Sequence, residues 1–224
     1  MDLKIIAGII FFSIIAIAVG ILIPVDDVIQ KQTLPWQVER TSQGVTQVFG
    51  LTPGESTLQQ AEQQLNSRAE ISLFATPEGE YVVEAYFDKV ILGGLSAKMI
   101  MVAGLSQKQL EPMYGRGTRI STLGSGVRKV ALQQQDIAVV RNTPIISITY
   151  LPYTRLDEAL IRKRFGKPQR KLKESETEMT HWLYPDLGLD IALNKNGTAV
   201  LQYTSPELFS MLSLPLTQRT TFEN

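Results

Sequence analysis

The longest uninterrupted apolar stretch of the chain runs from Ile5 to Ile23 and contains one hydroxyl and no charge. A helix rises about 1.5 Å per residue, so this stretch reaches about 28 Å, close to the thickness of a bilayer core. The pattern predicts a membrane anchor over 1–24, with membrane lipid contacting residues 5–23. The alternative is a cleaved signal peptide, because Ala16-Ile17-Ala18 fits a small-residue cleavage site.

The charges that flank this apolar stretch indicate its orientation. Lys4 precedes it, whereas Asp26 and Asp27 follow it and Lys31 is the first basic residue beyond. Basic residues favour the cytoplasmic side, so we expect the C-terminal body to be exported. The chain is therefore predicted to be a single-pass protein of the bacterial inner membrane with its body in the periplasm.

Small residues inside the predicted anchor suggest a contact with another helix. Ala16 and Gly20 form a small-xxx-small pattern, which lets a second helix approach closely. The other interpretation is a chance pair in a span that contains several small residues.

The stretch over 25–50 has no sustained helical period and is predicted to be a linker. Trp36 has two interpretations. Indole suits a membrane–water boundary, so Trp36 is a candidate residue for that boundary or for a partner contact. Packing against the adjacent domain is the alternative.

The body reads as α+β, with tandem modules that each consist of a short helix and an antiparallel sheet. In the first module, over 51–104, Leu58, Ala61 and Leu65 lie on one helix face. Strand-like segments follow, separated by Gly- and Pro-containing turns: 70–76, 81–88 and 90–103. The region 105–150 is either a β-rich middle module or a connection, and it ends in a strand over 145–150.

The second module, over 151–204, has the clearest pattern. Apolar residues at helical spacing begin at Leu156 and predict a helix. Gly166 and Pro168 follow it, and both residue types are favoured just after a helix C-terminus. Four strand candidates follow, over 171–178, 179–184, 187–193 and 198–203. Asn196-Gly197 predicts a type I′ hairpin turn between the last two. The tail over 205–224 is expected to dock as a brief helix.

Two segments carry a family resemblance. The turn and helix start over 51–58, and the helix over 153–168 with the strand His181-Trp-Leu-Tyr184, resemble the SmpA/OmlA-type outer-membrane-assembly lipoprotein module. That module is similar to the tandem domains of β-lactamase inhibitor proteins. The resemblance covers 51–75 and 150–204 and implies a protein-binding or assembly role without catalysis. The chain lacks the acylated cysteine of those lipoproteins.

The amino-acid composition excludes several kinds of binding and catalytic site. Lys plus Arg and Asp plus Glu both number 22, so bulk charge does not attract the chain to nucleic acid. Without cysteine there are no disulfides, thiolate metal sites or thiol nucleophiles. His181 is the only histidine, and its strand context favours an ordinary sheet position. We predict no catalytic, cofactor-binding or metal-binding residue and no cofactor.

Paired acids are the remaining candidates for catalysis. Glu78 with Glu80, and Asp186 with Asp190, stand next to Pro or Gly turn signals where solvent exposure is the default. A hydrolase site built from them would need burial, which the pattern does not indicate.

A basic segment is the last feature of interest. Arg162, Lys163, Arg164 and Lys167 occur together without an acid. They are candidates for contact with anionic lipid headgroups or an acidic partner. Alternatively, they stabilise the helix C-terminus through its dipole.

Together these patterns predict a non-catalytic, inner-membrane-anchored periplasmic protein-binding module. It would serve as an accessory or assembly factor, or as a small subunit of a membrane complex, with a protein partner in or near the inner membrane. The alternative is an envelope hydrolase with a carboxylate site.

Overall fold

The computed structural model describes residues 34–40, 44–174, 177–217 and 220–222. The predicted anchor, including Ala16 and Gly20, lies outside the described residues. Among the helices that are described, none combines the length and the apolar character needed to cross a membrane.

The body is a mixture of helix and sheet in which strand predominates. The strands are β1 Glu39–Arg40, β2 Thr46–Gln47, β3 Glu70–Ala75, β4 Tyr81–Leu92, β5 Leu95–Ala103, β6 Arg119–Thr122, β7 Arg128–Ala131, β8 Ile145–Pro152, β9 Arg170–Glu174, β10 Thr180–Tyr184, β11 Leu189–Leu193, β12 Ala199–Thr204 and β13 Thr220–Phe222. The α-helices are α1 Leu58–Gln64, α2 Gln107–Gly115, α3 Gln134–Arg141, α4 Glu158–Phe165 and α5 Phe209–Thr217. Short 3₁₀ turns occupy Pro185–Leu187 and Pro206–Leu208.

Eleven strands form one antiparallel sheet in the order β13-β9-β10-β11-β12-β8-β5-β4-β3-β7-β6, and β1 and β2 form a separate pair. Both predicted modules therefore contribute to the same sheet. The middle region 105–150 divides between two places. Its first part, from α2 to α3, sends β7 and β6 to the edge beyond β3, whereas its last strand, β8, lies in the centre between β5 and β12.

One face of this sheet carries the main core. Alternate residues of each strand point to this face. The strand register aligns Leu73 with Val83, and it aligns Met101 with Ile148 and Ile148 with Tyr203, so these side chains all enter the core. Helices α1, α2, α3 and α4 pack on this face through buried apolar residues, which are Leu58, Ala61, Leu110, Met113, Val140 and Ile161.

Local chemistry sets the helix bounds. Thr57 caps α1, and its side chain and that of Gln60 exchange hydrogen bonds with each other's backbone N–H groups. Asp157 caps α4 by accepting a hydrogen bond of 2.7 Å from the Leu160 amide. The helix ends before Gly166, whose φ of 79° suits glycine.

The predicted type I′ turn at Asn196-Gly197 is wrong. That turn needs positive φ at both residues, but among the described residues positive φ occurs here only at Gly197 (78°). Asn194 closes the turn instead: its carbonyl accepts from the Gly197 amide, and its side-chain oxygen accepts from the amides of Asn196 and Thr198. The hydrogen bonds of the Asn194 side chain thus favour a longer hairpin loop than a two-residue turn at Asn196-Gly197.

Part of the predicted linker belongs to the core. Phe49 is fully buried; it stacks on Tyr150 at 5.1 Å between centroids and meets Tyr203 edge-on at 5.6 Å. The Tyr203 hydroxyl donates a buried hydrogen bond of 2.7 Å to the Pro35 carbonyl. The described parts of the predicted linker, 34–40 and 44–49, therefore fold onto the helical face.

We expect the same substitution to act differently at these two tyrosines. Tyr203→Phe leaves the buried Pro35 carbonyl unsatisfied and should lower the free energy of unfolding by about 1–3 kcal/mol. Tyr150→Phe is the matched control and should be neutral or stabilising, because the buried Tyr150 hydroxyl has no hydrogen-bond partner among the described residues. Urea denaturation monitored by tryptophan fluorescence measures both. Equal losses for the two variants would contradict the assigned hydrogen bond.

Candidate interaction surface

The second face of the sheet is open along its centre. Eleven residues of β4, β5, β8 and β12 that point away from the core are only partly buried: Val82, Glu84, Tyr86, Lys98, Ile100, Val102, Ser147, Thr149, Leu151, Val200 and Gln202. Thr204, at the end of β12 on the same face, is buried. The apolar members of the eleven belong to neither buried cluster and do not pack against one. We call this set of eleven the open face. Neighbouring side chains shield one another there, but no helix among the described residues covers them.

The strand register arranges the open face into rows. Tyr86 lies opposite Ile100, Ile100 opposite Thr149, and Thr149 opposite Gln202. In the next row Glu84, Val102 and Ser147 are aligned in the same way. Each row therefore mixes an aromatic or aliphatic side chain with groups that form hydrogen bonds, a composition found at protein interfaces.

The charged groups on the open face differ in whether an oppositely charged partner lies nearby. The Tyr86 hydroxyl donates to Asp88 at 2.8 Å, and Lys98 Nζ lies 3.8 Å from the same carboxylate and 5.8 Å from the Tyr86 ring centre. Glu84 has no ion-pair partner within the described part of the chain. Partial burial raises the pKa of its carboxyl group. A ligand that covered this point would need to supply a cation or hydrogen-bond donors.

The same face is closed at its other end by α5. Leu172 and Leu183 are buried there against Phe209, and Leu212 and Leu216 pack around them. The row that contains Gln202 continues through Asp190 to Leu183, so the covered and open parts belong to one surface.

A polar cluster lies within this covered part. His181 Nδ1 is 2.8 Å from Asp190 Oδ2, and His181 Nε2 is 4.0 Å from Glu174 Oε2. The Glu174 carboxylate also accepts a hydrogen bond from Thr177. Asp190 is 0% exposed, so the expectation that it is a solvent-exposed turn residue is wrong. Gly188 forms the turn two residues earlier, while Asp190 itself lies inside β11 and points under the tail.

Burial and hydrogen bonding determine the charge of this cluster. Burial disfavours the imidazolium, but the hydrogen bond to Asp190 and the charges of Asp190 and Glu174 outweigh it and raise the pKa of His181. Burial also raises the pKa of Asp190, against the hydrogen bond from His181. The folded pair therefore binds protons more readily than the unfolded chain does.

The pair supplies two of the three groups of a hydrolytic triad. A third group, a nucleophile, would have to contact His181 Nε2. That atom is buried without a hydrogen-bond partner in the described part of the chain, as is Asp190 Oδ1. No group of three or more His, Cys, Asp or Glu residues within the described ranges is arranged to hold a metal ion. The geometry fits a buried proton-binding pair better than an accessible catalytic site.

Other buried acids connect helices. Glu62 accepts hydrogen bonds from Arg68, Arg141 and the Ala69 amide beside a cleft of about 500 Å³. Asp136 binds Arg116 through both carboxylate oxygens. Each acid is thus satisfied by an arginine, so Glu62 joins α1 to α3 and Asp136 joins α3 to the end of α2.

The structure brings several of the sequence-predicted residues together. The Arg164 guanidinium lies over the Trp36 ring, 4.6 Å from its centre. Arg162 lies 5.6 Å from the centre of the buried Trp182 ring. Lys163, in the same helix, and Lys167, just after it, are exposed. Trp36 thus packs on the folded body, which was one of its two interpretations.

Residues of the open face were not identified from the sequence. One feature of the sequence could have pointed to this face: β5 and β8 carry apolar residues on both of their faces, as in Met99-Ile100-Met101. This pattern indicates a strand that is apolar on two sides, but it does not say which face is left open.

Comparison with known proteins gives no family for the chain: no family model matches it, and no curated protein and no solved structure matches it.

We expect the stability of the protein to fall as pH rises above about 6.5, the ordinary pKa of histidine. The folded pKa of His181 is raised, so its stabilising contribution is fully present below the unfolded pKa and is lost as pH rises through the folded pKa. His181→Gln removes the titration and keeps a donor for Asp190, and should flatten this dependence. Urea unfolding between pH 6 and 8.5 measures the slope.

The NMR signal of this single histidine reports its pKa directly. A midpoint below 6.5 in the folded protein would contradict the charge assignment, whatever the slope of the unfolding data.

Proposed function

We propose that this chain is a membrane-anchored protein-binding module of the bacterial envelope. Its body is exported to the periplasm and acts without catalysis, as an accessory or assembly factor or as a small subunit of an inner-membrane complex. The observation that carries the proposal is the open face. Contiguous apolar surface that remains uncovered on a folded protein can mark an interaction site, and the open face brings Val82, Ile100 and Val102 together without a cover among the described residues.

The arrangement of the chain supports the resemblance on which the proposal also depends. Helix α1 precedes β3, β4, β5 and β8, and helix α4 precedes β9, β10, β11 and β12. Each half is thus a helix followed by four sheet strands, with the α2–α3 region inserted in the first half. The last strands of the halves, β8 and β12, are neighbours in the sheet. This order suits tandem SmpA/OmlA-like modules joined edge to edge.

The chemistry of the open face restricts the partner. Tyr86, Ile100 and Leu151 provide apolar contact area, whereas Thr149 and Gln202 provide donors and acceptors in the same rows. Glu84 favours a partner that brings a basic group to this point, because an unpaired carboxylate is costly to bury. A folded protein surface or a segment with alternating apolar and basic residues meets these requirements.

The competing proposal, an envelope hydrolase, would rely on His181 and Asp190. It is less well supported, because a substrate would have to displace α5 to reach His181 Nε2. The partner-binding proposal requires no rearrangement of the described chain.

Site-specific photo-crosslinking tests the proposed function. A benzophenone amino acid placed at Ile100 or at Leu151 in the full chain, in native membranes, should yield the same discrete adduct. The control position is Val139 in α3, which is 47% exposed on the helical side and should not yield that adduct. Mass spectrometry of the adduct identifies the partner.

Substitution of one central residue tests whether the open face supplies affinity. Ile100→Glu should reduce the yield of the Leu151 adduct at least tenfold, because a charge would be buried against the partner. The conservative variant Ile100→Val should retain it. Adducts from Val139 alone, or an undiminished adduct in Ile100→Glu with an unchanged melting temperature, would exclude the open face as the interface.

A further inference from the structure

The exposed cations at the end of α4 lie where the chain enters the body. The described chain begins at Leu34, and the Tyr203 hydroxyl fixes Pro35 to the core. One residue later, the Trp36 ring lies 4.6 Å below the Arg164 guanidinium. The entry point of the chain and the basic segment are therefore one surface. We call Trp36, Arg162, Lys163, Arg164 and Lys167 the basic edge.

The distance to the predicted anchor is limited by the chain. Residues 24–33 separate the apolar stretch from Leu34. Ten residues span at most about 35 Å when fully extended, and about 17 Å on average when flexible. A tether of this length allows the basic edge to reach a bilayer that holds the predicted anchor.

The cations of the basic edge are not neutralised by acids. Arg162, Lys163, Arg164 and Lys167 are exposed, and within the described ranges none of them forms an ion pair. The acid on the same helix, Glu158, is 3.4 Å from Lys171 instead. Trp36 adds an indole, which prefers the boundary between headgroups and water.

We propose that the basic edge contacts anionic lipid headgroups and orients the exported body on the membrane that carries its anchor. The inference rests on the predicted anchor, which is part of the proposed function. Attraction between clustered cations and an anionic surface acts within a Debye length, about 8 Å at physiological salt, so it requires close approach. The tether provides that approach.

The orientation has a consequence for the open face. Helix α4 packs on the core side of the sheet, and the open face lies on the opposite side. A body that rests on the bilayer through the basic edge therefore turns the open face away from the lipid beneath α4, where a protein partner can reach it.

Tryptophan quenching tests the contact in the full chain. The protein is reconstituted into vesicles of neutral phosphatidylcholine, with or without 30% phosphatidylglycerol, that carry a nitroxide on the lipid headgroup. The difference between the wild type and Trp36→Phe isolates the signal of Trp36, because Trp182, the second tryptophan, is fully buried. Quenching of Trp36 should be at least twofold greater in the anionic vesicles.

Charge reversal provides the decisive comparison. Lys163→Glu/Lys167→Glu leaves both arginine–tryptophan contacts intact and should remove the excess quenching. The matched control is Lys108→Glu/Arg119→Glu, which changes the same charge at exposed positions in α2 and β6 and should retain it. Melting temperatures equal to that of the wild type establish that both variants are folded.

Flotation after carbonate extraction separates the two proposals. A chain that is extracted lacks the anchor, and both the proposed tether and the headgroup contact then fail. A chain that floats, with Trp36 quenched equally in neutral and anionic vesicles, keeps the anchor and overturns the headgroup contact. In that outcome an acidic protein partner becomes the better explanation of the basic edge.

Discussion

The pairing of β8 with two neighbours is the constraint on which the rest of the body depends. Ile145–Pro152 forms hydrogen-bonded ladders with β5 on one side and with β12 on the other. These ladders join the two halves of the chain into one sheet, so that Met101, Ile148 and Tyr203 line up across the junction and the halves share one core. If β8 paired with only one half, each half would expose an unpaired strand edge in the middle of the protein.

The continuity of the sheet also explains why its second face is covered unequally. Among the described residues, four helices and the segments 34–40 and 44–49 pack on the core face, whereas α5 covers part of the other. The tail closes that face over Leu172 and Leu183, and it buries His181 with Asp190 in doing so. A polar pair in such a place costs less than an isolated charge because each partner compensates the other. The remaining face, over β4, β5 and β8, has no equivalent cover within the described chain.

Much of the fold follows from local sequence patterns. Alternating residues and Gly-containing turns indicate most strands of the sheet, and Asp157 with Gly166 marks α4 closely. Residues 137–140 illustrate the limit, since an apolar run of four fits a strand or a helix and lies in α3. The burial of Asp190 could not be predicted either, because it depends on α5 returning over β11 from a position twenty residues further along the chain. The open face is a property of topology: the sequence marks Ile100 as apolar but does not indicate which elements leave it uncovered.

The two surfaces of the body differ in a way that bears on how they would be used. The rows of the open face mix apolar and hydrogen-bonding side chains with few charges, so binding there depends on close fit and on desolvation. The basic edge consists of long, flexible cations around one indole, so its attraction is weakly specific, sensitive to salt and screened beyond a Debye length. The basic edge is therefore suited to orient the body on a charged membrane surface. The open face is suited to select a protein partner. Because the sheet separates the two surfaces, contact at one leaves the other free. A body that is held in one orientation at the membrane also presents fewer relative orientations that a partner must sample before it binds.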